Sequence, residues 1–152
     1  MITQLLTDLM KVGISIGLGL FMGYERSQQQ KPAGIRDVAL VTLGATLFAI
    51  IGLSFIEPKN MDMTRLLYAP IIGIGFLGSG VILQNKNKIE GLTTAGLLWI
   101  SVATGLLVGI GNYALAIVSA LAVFLILKLK HITIKIEGNN NETKKHRNNK
   151  KN

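Results

Sequence analysis

The chain has 152 residues, a net charge of +8 and a hydrophobic fraction of 49%, and its mean hydropathy is +0.46. It has no cysteine, which excludes disulfides and thiolate metal sites. Its two histidines, His131 and His146, both lie near the C-terminus. The apolar part of the chain therefore has no imidazole for a proton relay, a metal site or a catalytic dyad.

Long stretches of the chain carry no charge: no Asp, Glu, Lys or Arg occurs in 38–56, 66–85 or 91–127. About 20 apolar residues span the hydrocarbon core of a bilayer. We therefore predict an all-α, polytopic membrane protein with about five transmembrane helices. The predicted spans are Leu5–Tyr24, Val38–Ile56, Leu66–Leu83, Leu92–Ile110 and Tyr113–Leu129.

Two local features refine these spans. Asp8 and Lys11 lie in the first turns of span 1 at i,i+3 spacing, which predicts an ion pair at the membrane boundary. Spans 4 and 5 are separated only by Gly111 and Asn112, which predicts a tight helical hairpin. The N-terminus has no basic segment before its apolar stretch, so we expect no cleavable signal peptide.

The distribution of Lys and Arg predicts the orientation. Most of them lie between spans 1 and 2, between spans 3 and 4, and after span 5, whereas the opposite side has Lys59 and Arg65, with Lys11 near the boundary. The positive-inside rule then places the N-terminus outside and the C-terminus in the cytoplasm. We expect residues 1–130 to form the membrane domain and residues 131–152 to form a basic, largely disordered cytoplasmic tail.

The most unusual segment contains Gly73, Gly75, Gly78 and Gly80 within an apolar span. Each glycine costs about 1 kcal/mol relative to Ala in a water-soluble helix, but in a bilayer small residues let helix backbones pack closely. The letters also match GxGxxG, yet they do not follow a strand or open a helix, so we reject a dinucleotide site. We predict a helix-packing face.

Other small residues recur at four-residue spacing. The pairs are Gly13/Gly17, Gly19/Gly23, Ala45/Ala49 and Gly105/Gly109. Such pairs suit an internal bundle or a homodimer, and an internal bundle is the default because the spans must first pack against one another. Trp99 lies well inside span 4, so we expect it to pack within the bundle, where its indole N–H needs a partner.

Charged residues gather at the two edges of the membrane domain. The predicted cytoplasmic edge has Glu25, Arg26, Arg36 and Asp37, in which ion pairs would tie spans 1 and 2 together. Such charges act as structural anchors or as a polar site for a cation or a partner. Asp62 and Arg65 form a smaller candidate pair at the outer edge.

These motifs, taken in order, resemble those of the MgtC/SapB family of bacterial inner-membrane proteins. The pattern runs through GxERxxxxKPAGIRD, a D-x-x-R, GIGFLGSGVIL and GLTTAxxLW, across most of residues 13–111. The matching positions are Gly23, Glu25, Arg26, Ala33, Gly34, Arg36, Leu40, Val41, Asp62, Arg65, Gly73 to Gly80, Gly91, Thr93, Thr94, Ala95 and Trp99.

The resemblance implies a plasma-membrane protein with no established catalytic activity, associated with growth in low magnesium and with survival of pathogens inside host cells. It also implies a regulatory action on other membrane proteins such as ATP synthase. Asp37 stands where the family usually has Thr, Ala69 where Gln is common and Gly96 where Ala is common. Longer members carry a cytosolic ACT-like domain, and since this chain ends at Asn152 we expect only the membrane domain.

Two functional hypotheses follow. The first is a non-enzymatic regulatory protein that works by helix contacts with a second copy or another membrane complex. The second is a small transporter or channel subunit for Mg²⁺ or another cation, in which backbone carbonyls of the glycine segment coordinate the ion. The lipid bilayer is the expected environment, and we expect no enzyme activity, no nucleic-acid partner and no cofactor other than Mg²⁺.

Overall fold

The computed structural model describes residues 1–29, 33–54, 63–85 and 88–128. These ranges contain five helices and one short hairpin. The helices are α1 (Ile2–Gln28), α2 (Ile35–Ser54), α3 (Met63–Gly80), α4 (Leu92–Gly109) and α5 (Tyr113–Lys128). Strands β1 (Leu83–Asn85) and β2 (Lys88–Glu90) pair antiparallel, with Leu83 opposite Glu90.

The all-α membrane architecture predicted from the charge-free stretches is confirmed. Helices α1, α2 and α4 are long and apolar enough to cross a membrane, while α5 and the apolar part of α3 are shorter. The number of spans and the orientation stay predictions. The predicted basic tail, 131–152, lies outside the described residues.

The predicted span 3 ends too late. We predicted helix through Leu83, but α3 ends at Gly80, and Leu83 opens the β-hairpin. The backbone groups of Leu83–Asn85 pair with those of Lys88–Glu90. These polar groups therefore find hydrogen-bond partners without a longer helix.

The predicted turn between spans 4 and 5 is confirmed. Gly111 has φ +88°, a conformation that costs glycine little. The amide of Asn112 donates to the carbonyl of Leu107 at 2.8 Å, and the side-chain oxygen of Asn112 accepts from the amide of Leu115 at 3.3 Å. The turn therefore closes α4 and caps α5 within two residues.

Helix α2 packs directly against the backbone of α1. A Cβ placed on Gly19 would lie 2.6 Å from the Cα of Ala39, and one on Gly23 would lie 2.7 Å from the Cα of Ile35. These distances leave no space for a side chain, so the Gly19/Gly23 pair sets how closely α1 and α2 approach.

Helix α4 packs against the other side of α2 in the same way. A Cβ on Gly105 would overlap the carbonyl oxygen of Thr42 and lie 2.8 Å from the Cβ of Ala45. A Cβ on Gly109 would lie 2.8 Å from the carbonyl oxygen of Thr46. The predicted pairs Gly19/Gly23, Ala45/Ala49 and Gly105/Gly109 thus serve an internal bundle with α2 at its centre, whereas nothing lies within 4 Å of the Cβ positions on Gly13 and Gly17.

One hydrogen bond joins α2 to α4 inside this contact. The hydroxyl of Thr46 donates to the carbonyl of Gly105 at 2.9 Å and to the carbonyl of Thr42, in its own helix, at 3.0 Å. The close approach at Gly105 makes this bond possible, because a side chain there would separate the two backbones. Sequence analysis did not identify Thr46, although its spacing from Thr42 within a charge-free span is a usable signal.

Four other buried hydroxyl groups of the core are satisfied locally. Each donates to a backbone carbonyl of its own helix three or four residues earlier. The residues are Ser15, Thr42, Ser101 and Thr104. This arrangement lets the core contain hydroxyl groups without leaving donors unpaired.

Three contacts involve aromatic or charged side chains of α1 and α5. The rings of Phe21 and Phe124 lie 4.9 Å apart, and the ammonium of Lys128 lies 4.7 Å from the Phe124 ring centroid, within cation–π range. The predicted pair of Asp8 and Lys11 forms, at 3.6 Å.

We expect Gly105→Ala to destabilise the bundle by about 1–3 kcal/mol, the usual cost of overpacking a tight core. The added methyl group meets the Thr42 carbonyl, which belongs to a helix backbone and cannot rotate away. Gly96→Ala, on the same helix but with nothing within 4 Å of its Cβ position, is the matched control. Unfolding in mixed micelles, followed by circular dichroism, measures both. Equal stability of the two variants would contradict the close approach of α2 and α4.

We expect Thr46→Val to cost about 0.5–1.5 kcal/mol, because hydrogen bonds between membrane helices contribute about 0.6 kcal/mol on average and at most about 1.7. Thr42→Val is the control, since the Thr42 hydroxyl bonds only to the Val38 carbonyl of its own helix. The same unfolding assay should show a larger loss for Thr46→Val. A larger loss for Thr42→Val would mean that the interhelical bond contributes little.

Candidate functional site

The glycine segment predicted as a packing face lies on the outside of the bundle. Cβ positions on Gly73, Gly75 and Gly80 meet nothing within 4 Å. Gly78 approaches another helix, at an ordinary 3.7 Å from the Cβ of Ala95. The close contacts within the described chain are therefore made by the glycines of α1 and α4, and the α3 glycines leave an open face.

This open face is accompanied by large exposed apolar side chains. Phe76 is 82% exposed and Ile72 is 70% exposed, while Pro70 and Ile74 are the buried residues among the α3 side chains that the structure describes. Helix α3 thus contacts the bundle along a narrow stripe and presents a wide apolar surface to its surroundings. We define the α3 face as Gly75, Gly80, Ile72 and Phe76, whereas Gly73 borders the cavity between α2 and α3.

Cavities on the inner side of α3 show the same loose packing. One of about 380 Å³ lies between α2 and α3 and is lined mainly by apolar residues. A second, of about 280 Å³, lies beside Asp37. A third, of about 90 Å³, separates α3 from α4 and is lined by Ile71 and Trp99.

Trp99 does not pack in the interior as we expected. It is 58% exposed and borders the small cavity between α3 and α4. No hydrogen bond from its indole N–H is found within the described ranges. Its position in the span was read correctly, but an isolated tryptophan gives no information about which face of the helix is buried.

The segment Gly91 to Thr94 forms the start of α4. Gly91 has φ +85°, and a Cβ there would collide with the carbonyl of Val81, so this position requires glycine. The Gly91 carbonyl accepts the first helical bond from Ala95 at 2.9 Å. Thr93 is exposed and Thr94 is buried, so the GLTTAG motif places only one hydroxyl in the interior.

The predicted cytoplasmic cluster separates into two parts. Glu25 and Arg26 are buried, 8% and 2% exposed, with Arg26 Nε 3.4 Å from Glu25 Oε2. Gln29 donates to the other Glu25 oxygen. This ion pair lies within one helix and does not bridge α1 and α2. Neither Arg26 Nε nor Glu25 Oε2 has a hydrogen-bond partner in the described part of the chain.

Arg36 and Asp37 form the exposed part of the cluster. The Asp37 carboxylate accepts a hydrogen bond from the Gly34 amide at 2.8 Å at the start of α2, where a negative charge is favourable. Neither residue makes an ion pair with a residue in the described ranges. The prediction that ion pairs connect spans 1 and 2 is therefore not confirmed there.

The predicted outer pair is not tested. Asp62 lies outside the described residues, and Arg65 belongs to α3 by its backbone. Among residues 1–29, 33–54, 63–85 and 88–128, no group of three or more His, Asp or Glu residues is placed to hold a metal ion.

The chain is similar in sequence to several curated bacterial proteins. It is 34% identical over 124 residues to Protein SapB of Bacillus subtilis, covering 77% of this chain and 53% of that protein. It is 36% identical over 107 residues to Protein MgtC of Salmonella typhimurium, with coverage of 70% and 45%. It is 33% identical over 116 residues to the Escherichia coli K12 protein named "Putative magnesium transporter YhiD", with coverage of 72% and 54%.

The chain spans about half the length of the curated relatives it matches. No solved structure matches it. The model of the MgtC family matches residues 12–135, which include α1 from its third turn onward and all of α2 to α5. The chain therefore belongs to the MgtC family.

Proposed function

We propose that the chain is a non-enzymatic regulatory protein of the bacterial inner membrane, linked to magnesium limitation or virulence-type stress adaptation. It acts through helix contacts with a second copy or with another membrane complex, and it crosses the membrane several times with its C-terminus in the cytoplasm. The observation that carries this proposal is the contrast between a closed core and the open α3 face.

The closed core argues for contact rather than conduction. Helices α1, α2 and α4 meet at backbone distance through Gly19, Gly23, Gly105 and Gly109, and the buried hydroxyls of Ser15, Thr42, Thr46, Ser101 and Thr104 already donate to carbonyls. A hydrated ion needs oxygen ligands or water along its route. The interface between these helices leaves no space for a hydrated ion.

The α3 face supplies the surface for a partner. Gly75 and Gly80 have open space where a side chain would be, which lets another helix approach closely. Ile72 and Phe76 stand beside them and would fill the grooves of that helix. Lipid covers such a face when no partner is present, so a protein contact forms by exchange of lipid for protein packing.

A small Mg²⁺ or cation transporter is the second candidate. Magnesium transport appears in the name of the Escherichia coli relative, and Asp37 provides a carboxylate in the wall of the cavity of about 280 Å³. The candidate requires an oxygen-lined route through the bilayer, and the walls of this cavity are otherwise apolar. We therefore favour the regulatory role.

We expect Gly75→Leu to weaken association by at least about tenfold, which corresponds to 1.4 kcal/mol, and to impair growth in low magnesium. The leucine projects into open space, so it obstructs a partner without disturbing the fold. Gly17→Leu, at an equally open position on α1, should retain both properties. Cross-linking in native membranes measures association, and growth of a strain that depends on this protein measures function.

Unchanged assembly and unchanged growth with Gly75→Leu would reject the α3 face as the contact surface. If Gly17→Leu were the more harmful variant, the partner would instead bind α1.

A further inference from the structure

A groove along the inner edge of α3 opens to the bilayer and continues toward a charged end. It is lined by Leu40, Gly44 and Phe48 of α2 and by Pro70, Gly73 and Leu77 of α3, and it has a volume of about 380 Å³. We call it the α2/α3 groove. The cavity beside Asp37, of about 280 Å³, shares Leu40, Val41 and Leu77 with it, so the two spaces adjoin.

The α2/α3 groove is elongated and apolar. Leu40 and Phe48 are eight residues apart, which is about 12 Å along α2 at 1.5 Å per residue. Every residue that lines the groove is apolar or glycine, so its walls suit one acyl chain of a lipid lying along α2.

The charged end indicates which lipid supplies that chain. Asp37 is the one charged residue that lines the second cavity among the residues described there. Within those ranges its carboxylate has no ion-pair partner and accepts a hydrogen bond from the Gly34 amide. A carboxylate has about four acceptor sites, so Asp37 retains capacity for a cationic donor.

The neighbouring charge completes the match to a zwitterionic headgroup. Arg36 is exposed beside Asp37 at the start of α2, and a guanidinium is a good partner for phosphate. A primary ammonium suits Asp37 because it donates hydrogen bonds as well as carrying charge. The headgroup and the chain then occupy the two joined cavities, over about 16 Å from Asp37 to Phe48 along α2.

We propose that the α2/α3 groove and the cavity beside Asp37 together bind one phospholipid with a primary-ammonium headgroup, one acyl chain lying in the groove and the ammonium at Asp37. This proposal does not depend on the regulatory role of the α3 face. An acyl chain is surrounded by apolar groups both in the bilayer and in the groove, so the hydrophobic effect does not favour the groove. Selective binding therefore depends on how the chain packs and on the contacts of the headgroup.

The test is native mass spectrometry of the purified, delipidated chain titrated with phosphatidylethanolamine, phosphatidylcholine and phosphatidylglycerol of identical acyl chains. We expect phosphatidylethanolamine to bind about three- to fivefold more tightly than the other two, in line with the modest strength of exposed ion pairs. Asp37→Asn should remove its advantage over phosphatidylcholine, whose quaternary ammonium cannot donate a hydrogen bond.

Gly44→Leu tests the acyl-chain part of the proposal. Its Cβ position is open and faces the groove, so the leucine fills the groove and should weaken binding of phosphatidylethanolamine by at least about fivefold. Gly96→Leu on α4, equally open and not among the groove residues, is the control and should bind like the parent chain.

Three results would overturn the proposal. One is equal binding of the three lipids by the parent chain. Another is undiminished binding by Gly44→Leu, and a dimer lost in the same variant would then assign the groove to a second copy. The third is an Asp37→Asn variant that still prefers phosphatidylethanolamine over phosphatidylcholine, and this result counts even if Gly44→Leu fails to fold.

Discussion

Direct contact between helix backbones at α2 is the constraint on which the rest of this structure depends. Membrane helices gain little from the hydrophobic effect once they are in lipid, so their association relies on packing and interhelical hydrogen bonds. Here two glycine pairs, one on α1 and one on α4, bring both helices against α2. The bond from Thr46 to the Gly105 carbonyl is a consequence of that approach.

For function, this means that the interior between α1, α2 and α4 is filled by helix packing, whereas the outer surface of α3 is open. Helix α3 has glycines as well, but Gly75 and Gly80 face open space and Gly78 makes only an ordinary contact, and the inner edge of α3 leaves cavities against α2 and α4. The outer face is available to a protein partner, and the inner groove is available to a lipid chain. Both proposals therefore concern one loosely packed helix beside a closed core.

Some of this arrangement could be predicted from sequence, and the reason is physical. Charge-free stretches reveal the membrane helices because a charge in hydrocarbon is costly, and Gly111 with Asn112 reveals the tight turn. The four-residue spacing of Gly19/Gly23 and Gly105/Gly109 correctly indicates backbone contact. The helix-packing face predicted at Gly73 to Gly80 stays a prediction, since spacing shows that a helix has small residues but not which helix covers them.

Other features depend on three-dimensional context that one sequence does not contain. Glu25 pairs with its neighbour Arg26 and not with Arg36 of α2. Both arginines carry the same charge, so the choice depends on where the side chains point, which the sequence does not show. Trp99 faces outward for the same reason. Strands Leu83–Asn85 and Lys88–Glu90 pair because the chain reverses direction between α3 and α4, which brings their backbone groups together.

The central claim is that a closed core excludes an ion path and leaves contact as the mode of action. Mg²⁺ entry into liposomes that contain the purified, folded chain, followed with an internal magnesium-sensitive dye, tests it most directly. We expect no saturable Mg²⁺ flux above that of empty liposomes. Saturable flux that Asp37→Asn reduces would contradict it and would place a cation route along α3.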